Sequence, residues 1–435
     1  MQKLKLEPSK VAGKVKIPPS KSFAHRALLC AALSGGNVNI HSFSDSKDMK
    51  ATENFLLALG LEAVPTVDKT VFVKKIGEIS REPQTVDCIE SGSTLRFVIP
   101  IAAALGMDCT FIGSGRLPER PIGVFTDLLP KHGVKCESLR EGYGLPLHIS
   151  GKLTAGDFEV PGNISSQFIT GLMYALPLLD GDSRIIITTE LESESYLNIT
   201  ASVLEEFGIF AVRTDYGYFI PGNQKYKAVD YTVEGDWSQA AFFLTMGAFS
   251  KEGVIVEGLN SESVQGDKNI LDIYRKMGID VKFTDGDLHI KNPNADKVHL
   301  GLKPVDFNAS DIPDAVPAIS AALALADGTS TISGAGRLRI KECDRLKAVF
   351  DKLTSVGGEV EEKPDGLIIH GVERLVGGEI NGYNDHRIVM TGACLSLVAQ
   401  GDILISDPMS INKSYPGFYH DFNKLGGKAS VIDLG

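Results

Sequence analysis

The segment AVPAISAALALADGTSTI, residues 315–332, contains the pattern from which the fold follows. It starts with a run that is apolar on nearly every side, reaches a glycine at Gly328 and continues as an alternating, β-like run. A helix that is apolar all round is buried on all sides, whereas an alternating strand faces solvent on one side. The segment therefore predicts a buried helix followed by a half-exposed strand.

The same pattern occurs six times along the chain. The glycine between helix and strand recurs every 70 to 75 residues, at Gly36, Gly106, Gly181, Gly253, Gly328 and Gly401. A second series with the same period follows amphipathic runs such as NILDIYRKMG (269–278), at Gly60, Gly133, Gly208, Gly278, Gly357 and Gly426. Two independent series with one period indicate a repeated βαβ-type unit, longer than the ~20–50 residues of solenoid repeats.

The number of repeats predicts the domain organisation. For 435 residues, a prior of about 150 residues per domain gives two or three domains, and six repeats divide naturally into two domains of three. We predict an α/β protein of two inside-out domains. Each consists of three pseudo-symmetric βαβαββ-like units, with the helices inside and the sheets outside.

Composition excludes several classes of protein. The net charge of −11 argues against a nucleic-acid partner, because phosphate backbones require a basic face. The start MQKLKLEPSK has no apolar signal core, and the apolar runs are shorter than the ~20 residues that cross a bilayer. The six cysteines have no metal-ligand spacing and are typical of reduced core residues. We expect a cytoplasmic monomer with no membrane partner and no metal or other cofactor.

Unusual polar clusters precede the six buried helices: PPSKSFAHR, ESGSTLR, GNISSQ, EGDWSQ, SDIPD and NDHR. Helix capping accounts for their Ser, Asp and Asn residues. It does not account for Lys21, Arg26, Arg96 and Arg387, because a cation in the first helical turn opposes the helix macrodipole. A bound anion between the cations and the free N–H groups would reconcile them, so we expect anion binding at these helix starts.

Three further clusters add cations. RLPERPIG (116–123) places Arg116 and Arg120 before a helix that we expect to begin at proline, and INKSYP contains Lys413. In RLRIKECDR (337–345), Lys341 and Arg345 stand four apart, which predicts one helical face with Glu342 beside it. Such a group can bind an anion and move a proton. For Arg339 and Asp344, solvent-exposed charges without a binding role are an alternative interpretation.

The motifs, taken in order, resemble the enolpyruvyl transferases, in the branch that acts on shikimate 3-phosphate. They are KSFAHR, GSTLR, LPERPIG, ISSQF, SESYLNIT, EGDWSQA, DIPDA, KECDRL, NDHR and NKSYP, spread over the whole chain. The resemblance implies domains at 20–234 and at 235–435, the latter joined by residues 1–19. It also implies transfer of the enolpyruvyl group of phosphoenolpyruvate to the 5-hydroxyl of shikimate 3-phosphate, with release of phosphate.

The resemblance also implies residue roles. Asp314 would be the base on the hydroxyl, Lys21 and Glu342 would handle protons, and Lys341 and His386 would assist. The shikimate 3-phosphate site would comprise Lys21, Ser22, Arg26, Ser165, Ser166, Gln167, Ser193, Tyr196, Asp314 and Lys341. The phosphoenolpyruvate site would comprise Lys21, Gly92, Arg120, Gln167, Glu342, Arg345, His386, Arg387 and Lys413. His386 as a core or capping residue and Tyr196 as a packing residue remain alternatives, and we assign Trp237 to structure.

Two positions depart from the family pattern. Glu90 and Arg337 stand where asparagine is usual, and a carboxylate near an anionic ligand is unfavourable unless Arg96 or Arg120 pairs with it. Gly92 is unsubstituted, which predicts inhibition by the phosphoenolpyruvate mimic glyphosate, although a crowded Phe97 would weaken it. A sister enzyme acting on a UDP-amino sugar is one alternative, but the segment around Arg116–Arg120 lacks its reactive cysteine. A catalytically silent binding protein is the other.

Overall fold

The computed structural model describes residues 2–43, 45–80, 82–142, 144–297 and 299–433, and the chain forms two compact domains. The N-terminal domain comprises Pro19–Glu234. The C-terminal domain combines the residues up to Pro18 with those from Gly235 onward, so the chain passes between the domains twice. Residues 1 and 435, where the predicted ranges begin and end, lie outside the described residues.

Two kinds of helix alternate along the described chain. The odd-numbered helices are buried nearly all round, and the even-numbered helices are amphipathic. The helices are α1 (Lys21–Leu33), α2 (Lys47–Ala58), α3 (Gly92–Ala104), α4 (Gly123–Leu128), α5 (Ser166–Ala175), α6 (Glu194–Glu206), α7 (Trp237–Ala248), α8 (Ile270–Lys276), α9 (Val316–Leu323), α10 (Arg345–Ser355), α11 (His386–Ser396) and α12 (Phe418–Lys424).

The strands are short and lie between the helices. They are β1 (Gln2–Leu6), β2 (Gly13–Lys16), β3 (Val38–His41), β4 (Leu61–Pro65), β5 (Val71–Lys75), β6 (Gln84–Asp87), β7 (Cys109–Ile112), β8 (Val134–Ser138), β9 (Leu147–Gly151), β10 (Asp157–Val160), β11 (Ser183–Ile187), β12 (Val212–Thr214), β13 (Gly217–Ile220), β14 (Tyr231–Thr232), β15 (Val254–Glu257), β16 (Asp280–Thr284), β17 (Asp287–Lys291), β18 (Phe307–Asn308), β19 (Thr329–Ser333), β20 (Glu359–Lys363), β21 (Gly366–His370), β22 (Gly378–Ile380), β23 (Ile403–Ser406) and β24 (Ala429–Asp433).

The described residues form six four-stranded sheets of one topology, which confirm the predicted fold class. In each sheet a parallel pair is followed by two antiparallel pairings, as in β6-β7-β9-β8, where Val86 is in register with Phe111 and Cys109 with Ile149. The sheet orders are β14-β3-β5-β4, β6-β7-β9-β8, β10-β11-β13-β12, β2-β15-β17-β16, β18-β19-β21-β20 and β22-β23-β1-β24. Burial alternates along strands such as β3 and β7, as expected for sheets with one buried face.

Three of these sheets contain a strand from a distant part of the chain. In the N-terminal domain, β14 supplies the first strand of the first repeat by pairing with β3. In the C-terminal domain, β2 pairs with β15, and β1 lies between β23 and β24. The strand before each passage between domains thus belongs to the domain that the chain is leaving.

The second glycine series marks the ends of the even-numbered helices. All six of these glycines have positive φ, from 74° at Gly60 to 105° at Gly426. Side chains other than glycine are disfavoured there, and glycine is the usual residue just past a helix end. The period seen in the sequence is therefore a period of helix ends.

The buried helices form one core in each domain. Trp237, at the start of α7, is fully buried, and its indole N–H donates to the carbonyl of Asn260, as expected for a structural residue. All six cysteines are unpaired, and all but Cys136 are buried. None of the helices in the described ranges has the length and apolar character needed to cross a bilayer.

Candidate active site

The predicted residues lie mainly at the N-terminal ends of buried helices. Side-chain caps hold several of these ends: Ser20 caps α1, Ser91 caps α3, Ser165 caps α5, Asp236 caps α7 and Asp385 caps α11. Each cap leaves other first-turn N–H groups available to a ligand. Lys21 and Arg387 stand in the first turn as predicted, whereas Arg26 and Arg96 stand one turn further along.

In the N-terminal domain, Lys21 is paired. Its Nζ donates to Oδ2 of Asp48 at 2.7 Å. Asp48 stands in the first turn of α2, where a carboxylate also interacts favourably with the helix macrodipole. A predicted proton-handling residue therefore has a carboxylate partner that sequence reasoning did not single out.

Arg26 connects α1 to α6. Its Nε donates to the Thr200 hydroxyl at 2.9 Å, and its two Nη groups donate to the carbonyls of Ser22 at 2.7 Å and Tyr196 at 3.0 Å. The guanidinium lies over the Phe97 ring at 5.2 Å, and burial lowers its pKa from the ordinary value. Arg26 thus fixes the backbone of two predicted site residues.

Ser193, at the start of α6, adopts left-handed backbone geometry with φ of 57°. A residue other than glycine rarely adopts this conformation, and such positions cluster at ligand sites. The Ser193 side chain is also buried. Tyr196 packs against the N-terminal core, and its backbone carbonyl accepts from Arg26.

Gln167 connects α5 to α3. Its Oε1 accepts from Nη1 of Arg96 at 2.7 Å, and its Nε2 donates to the Ser93 hydroxyl at 2.8 Å. The same Arg96 donates to the carbonyl of Pro121 at 2.8 Å. These bonds bring together the starts of α3 and α5 and the segment before α4. Ser165 caps α5 by accepting from the Gln167 N–H, and Ser166 beside it is buried.

Gly92 lies against the guanidinium of Arg120. A Cβ atom added at Gly92 would lie 2.4 Å from Nη1 of Arg120, far inside van der Waals contact. Glycine at this position therefore lets an arginine side chain reach the start of α3. Close by in sequence, the Glu90 carboxylate lies against Gly115, where an added Cβ would be 2.6 Å from Oε2.

In the C-terminal domain, cations surround Asp314. Its Oδ1 accepts from Nη1 of Arg345 at 2.8 Å, and its Oδ2 accepts from Nη2 of Arg387 at 3.0 Å. The Nζ of Lys341 is 3.7 Å from Oδ1. The side chain of Asp314 is 17% exposed, so solvent still reaches the carboxylate.

Arg345 joins three carboxylates while its side chain is only 2% exposed. Besides Asp314, it donates to Oε2 of Glu342 at 2.6 Å and, through Nε, to Oδ2 of Asp385 at 2.7 Å. Burial raises the pKa of a carboxyl, but the neighbouring Arg345 outweighs this and lowers the pKa of Asp385. Asp385 also caps α11 by accepting from the Arg387 N–H at 2.9 Å. One guanidinium thus fixes the relative positions of Asp314, Glu342 and Asp385.

Arg387 and Lys413 complete this cluster. Arg387 donates to the hydroxyl of Ser238 at 3.0 Å, which links α11 to the start of α7. Lys413 ends the 3₁₀ helix Pro408–Lys413 and donates to the carbonyl of Asn384 at 2.7 Å. His386, between Asp385 and Arg387, is 1% exposed and begins α11.

Known proteins resemble this chain in sequence and fold. A family model of EPSP synthase (3-phosphoshikimate 1-carboxyvinyltransferase) matches residues 6–422. The chain belongs to the EPSP synthase family. Relatives named 3-phosphoshikimate 1-carboxyvinyltransferase in Clostridium kluyveri and Clostridium beijerinckii are each 44% identical over 100% of both chains.

Solved structures support the EPSP synthase fold. An EPSP synthase from Acinetobacter baumannii superposes with a TM-score of 0.81 over 100% of both chains, at 24% identity. The enolpyruvyl transferase NikO from Streptomyces tendae gives a TM-score of 0.80 at 16% identity, over 100% of this chain and 99% of that one. At these identities the likeness concerns the fold alone.

Two further predictions about helices were wrong. Lys341 and Glu342 are not on a helical face with Arg345, because α10 begins at Arg345 and Asp344 caps it. Lys341 instead follows the 3₁₀ helix Gly336–Ile340 in extended conformation. The helix after RLPERPIG begins at Gly123, two residues beyond Pro121, rather than at proline. The relevant residues still meet, because Arg345 reaches back to Glu342.

The environment of Lys341 changes its proton affinity. Burial lowers the pKa of Lys341 to about 8, with the positive Arg345 and Arg337 in the same direction and Asp314 opposing. Arg337 donates to the carbonyl of Ser310 at 2.9 Å. Arg339 pairs with Glu362 at 2.6 Å and Asp344 at 2.9 Å. These ion pairs agree with the alternative interpretation of Arg339 as part of a solvent-exposed charge pair.

Sequence reasoning missed several residues of the two clusters. Asp48, Ser238 and Asp385 each bind a predicted cation, yet each also looks like an ordinary residue of a helix start. Asp267 is buried, and burial together with the Asp314 carboxylate raises its pKa above the ordinary value. The carboxylate of NDHR was visible in the sequence, but only spatial contact reveals its bond to Arg345.

Proposed function

We propose that this protein transfers the enolpyruvyl group of phosphoenolpyruvate to the 5-hydroxyl of shikimate 3-phosphate. The products are 5-enolpyruvylshikimate 3-phosphate and inorganic phosphate. Membership of the EPSP synthase family over residues 6–422 carries the proposal, since relatives matching the whole chain are named 3-phosphoshikimate 1-carboxyvinyltransferase. The arrangement around Asp314 agrees with the chemistry that this reaction needs.

The reaction requires an acid and a base. A proton added to the methylene carbon of phosphoenolpyruvate leaves a cationic carbon, which the 5-hydroxyl attacks to give a tetrahedral intermediate. Loss of a methyl proton and of phosphate then restores the carbon–carbon double bond and gives the enol ether product. We assign the base on the hydroxyl to Asp314 and the proton transfers to Lys21 and Glu342. A placed acid or base contributes about 10²–10⁴ in rate.

Lys341 and His386 assist in this proposal. With its pKa lowered to about 8, Lys341 exchanges a proton readily near neutral pH and lies 3.7 Å from the Asp314 carboxylate. Groups whose pKa lies near the working pH make effective proton donors and acceptors. His386 is the first residue of α11, between Asp385 and Arg387, and we propose that it lines the site from there.

Binding of two anionic substrates requires cations. Two phosphates at about −1.5 to −2 each, with two carboxylates, present about 5–6 negative charges. For phosphoenolpyruvate we propose Lys21, Gly92, Arg120, Gln167, Glu342, Arg345, His386, Arg387 and Lys413. For shikimate 3-phosphate we propose Lys21, Ser22, Arg26, Ser165, Ser166, Gln167, Ser193, Tyr196, Asp314 and Lys341. The paired hydroxyls at the start of α5 suit a phosphate, since N–H groups there add further donors.

Phosphate release tests the proposed reaction. Purified protein is given phosphoenolpyruvate with shikimate 3-phosphate or with UDP-N-acetylglucosamine, and inorganic phosphate is measured. We expect release that depends on shikimate 3-phosphate. Release that depends on the UDP-sugar instead would assign the protein to the sister reaction, and binding of both ligands without release would make it a silent scaffold.

We further propose that the enzyme acts as a cytoplasmic monomer. Its six unpaired cysteines fit a reducing compartment. Light scattering coupled to size-exclusion chromatography measures the mass, which should match the 46.7 kDa chain. A mass of twice that value or more would contradict the monomer.

A further inference from the structure

Asp48 is the partner of a proposed catalytic group. Its Oδ2 accepts from Nζ of Lys21 at 2.7 Å, and the two side chains are only 13% and 19% exposed. A pair this shielded from water interacts more strongly than a surface pair, because screening by solvent and salt is weaker there. Asp48 therefore has the means to control both the position and the charge of the Lys21 amine.

Neighbouring contacts hold Asp48 in place. Ser46 caps α2 by accepting from the Met49 N–H, which fixes the helical turn that carries Asp48. One turn along α2, the Thr52 hydroxyl bonds to Nδ1 of His25 at 2.7 Å and to the Thr94 hydroxyl at 2.9 Å. Asp48 thus sits on a helix start that is bonded to both α1 and α3.

The three side chains joined by these hydrogen bonds, His25, Thr52 and Thr94, carry no negative charge that could pair with the Lys21 ammonium. Burial, aided by the positive charges of Lys21 and Arg26, lowers the pKa of His25 well below its ordinary value. His25 is therefore a neutral member of the chain, and the threonines are neutral too. Asp48 brings a full negative charge to the Lys21 ammonium at 2.7 Å.

We propose that Asp48 is the positioning residue for Lys21. It keeps the amine protonated and confines the flexible four-carbon stem to one place, so that Lys21 is ready to deliver its proton. The catalytic consequence rests on the proposed function. The effect on the Lys21 amine itself follows from the contact alone and can be measured without substrate.

The first test is the pH dependence of kcat/KM for phosphoenolpyruvate. In Asp48→Asn we expect kcat/KM to fall at least tenfold and its alkaline limb to move down by about one pH unit, because the ammonium loses its counter-charge. Asp48→Glu should restore the alkaline limb. The matched control is Glu53→Gln, which removes the carboxylate of the pair between Lys50 and Glu53 on the same helix. An unmoved limb in Asp48→Asn would overturn the proposal.

The second test needs no catalysis. Lysines are dimethylated with ¹³C-formaldehyde, the Lys21 methyl signal is identified by its loss in Lys21→Arg, and its chemical shift is followed with pH. In Asp48→Asn the signal should titrate at least half a pH unit lower, whereas in Glu53→Gln it should not move. A shift without any phosphate release by the wild type would refute the proposed reaction but keep the contact. The same titration in both proteins would refute the role of Asp48.

Discussion

Two guanidiniums hold the two carboxylate oxygens of Asp314. Asp314→Asn keeps the shape and removes the basic oxygen. We expect kcat to fall by about 10²–10⁴ while shikimate 3-phosphate still binds, because the loss concerns proton removal. Steady-state kinetics and calorimetric titration with shikimate 3-phosphate measure the two quantities. A kcat within a factor of three of the wild type would remove Asp314 from the mechanism.

The close approach of Arg120 to Gly92 gives a second prediction. In Gly92→Ala the new methyl group would lie 2.4 Å from Nη1 and 2.6 Å from Cζ of Arg120, so the guanidinium must move. We expect KM for phosphoenolpyruvate to rise at least tenfold and inhibition by glyphosate to weaken.

Gly123→Ala is the matched control for Gly92. It lies three residues after Arg120, and an added Cβ there meets nothing within 4 Å. Kinetic constants are measured for both variants with each substrate varied in turn. If Gly92→Ala and Gly123→Ala share the KM of the wild type, Arg120 does not contact phosphoenolpyruvate.

Motifs predicted the site only in part. Spacing singled out Glu342 and Arg345 together with Lys341, whereas Asp314 was assigned only through the resemblance to the enolpyruvyl transferases. It did not single out Asp48 or Asp385, since a carboxylate at a helix start is what capping alone would produce. Their roles depend on contacts between elements that lie far apart in sequence, such as the 40 residues between Arg345 and Asp385.

Helix α10 has a buried lysine, which its amphipathic sequence pattern did not predict. Lys352 stands on its buried face with Leu346, Val349 and Leu353, and it is 1% exposed. Its Nζ has no hydrogen-bond partner within the described ranges. Burial lowers the pKa of Lys352 to about 7.

This lowered pKa makes stability depend on pH. Between pH 7 and the ordinary value of 10.5, the unfolded chain binds more protons at this site than the folded protein. The free energy of unfolding therefore rises with pH across that window, and the full penalty of the buried charge is present below pH 7. Lys352→Met removes the penalty, so Tm should rise by roughly 5 °C at pH 6 and by much less at pH 9.

Calorimetry at pH 6, 7.5 and 9 measures this difference. Lys347→Met on the same helix is the control, since the Lys347 side chain is 51% exposed. A gain of equal size at pH 6 and pH 9 would attribute the effect to packing rather than to charge.

Helix boundaries show what local pattern can and cannot predict. The amphipathic run predicts the position of α10, and Gly357 predicts that the helix ends just before it. Both predictions agree with the structure. The start does not, because spacing alone suggested that Lys341 and Arg345 shared a turn. Asp344 caps the helix three residues after Lys341, and this competing local bond decides the boundary.

Across the whole molecule, the two domains differ in whether one continuous segment supplies all their strands. All four strands of each N-terminal sheet come from Pro19–Glu234. The C-terminal domain takes β1 and β2 from the first 18 residues, with Leu4, Leu6 and Val15 buried in its core. We expect residues 19–234 alone to unfold cooperatively, whereas residues 235–435 alone should not.

Thermal melts followed by circular dichroism test this difference. Adding a peptide of residues 1–18 to the fragment 235–435 should restore a cooperative transition. The peptide with Leu4 and Leu6 both changed to serine is the control, because those side chains are fully buried in the C-terminal core. Cooperative melting of the fragment without the peptide would contradict the expectation.

The repeat predicted six equivalent sheets but not how the chain supplies their strands. Periodicity reports what lies next to what in sequence, and β1 pairs with β24 across almost the entire chain. The resemblance to enolpyruvyl transferases implied that residues 1–19 join the C-terminal domain. Nothing in the pattern itself assigns β14 to the first repeat, since its pairing with β3 has no local signal.

The position of β1 has a consequence for protein synthesis. Gln2 leaves the ribosome well before Asp433, with which it is in register. At about 5–20 residues per second, the first strand waits for its partner for roughly 20–90 s. During that time its edges are open, although the N-terminal domain can already have folded. The C-terminal domain therefore completes its fold only after β24 has been synthesised.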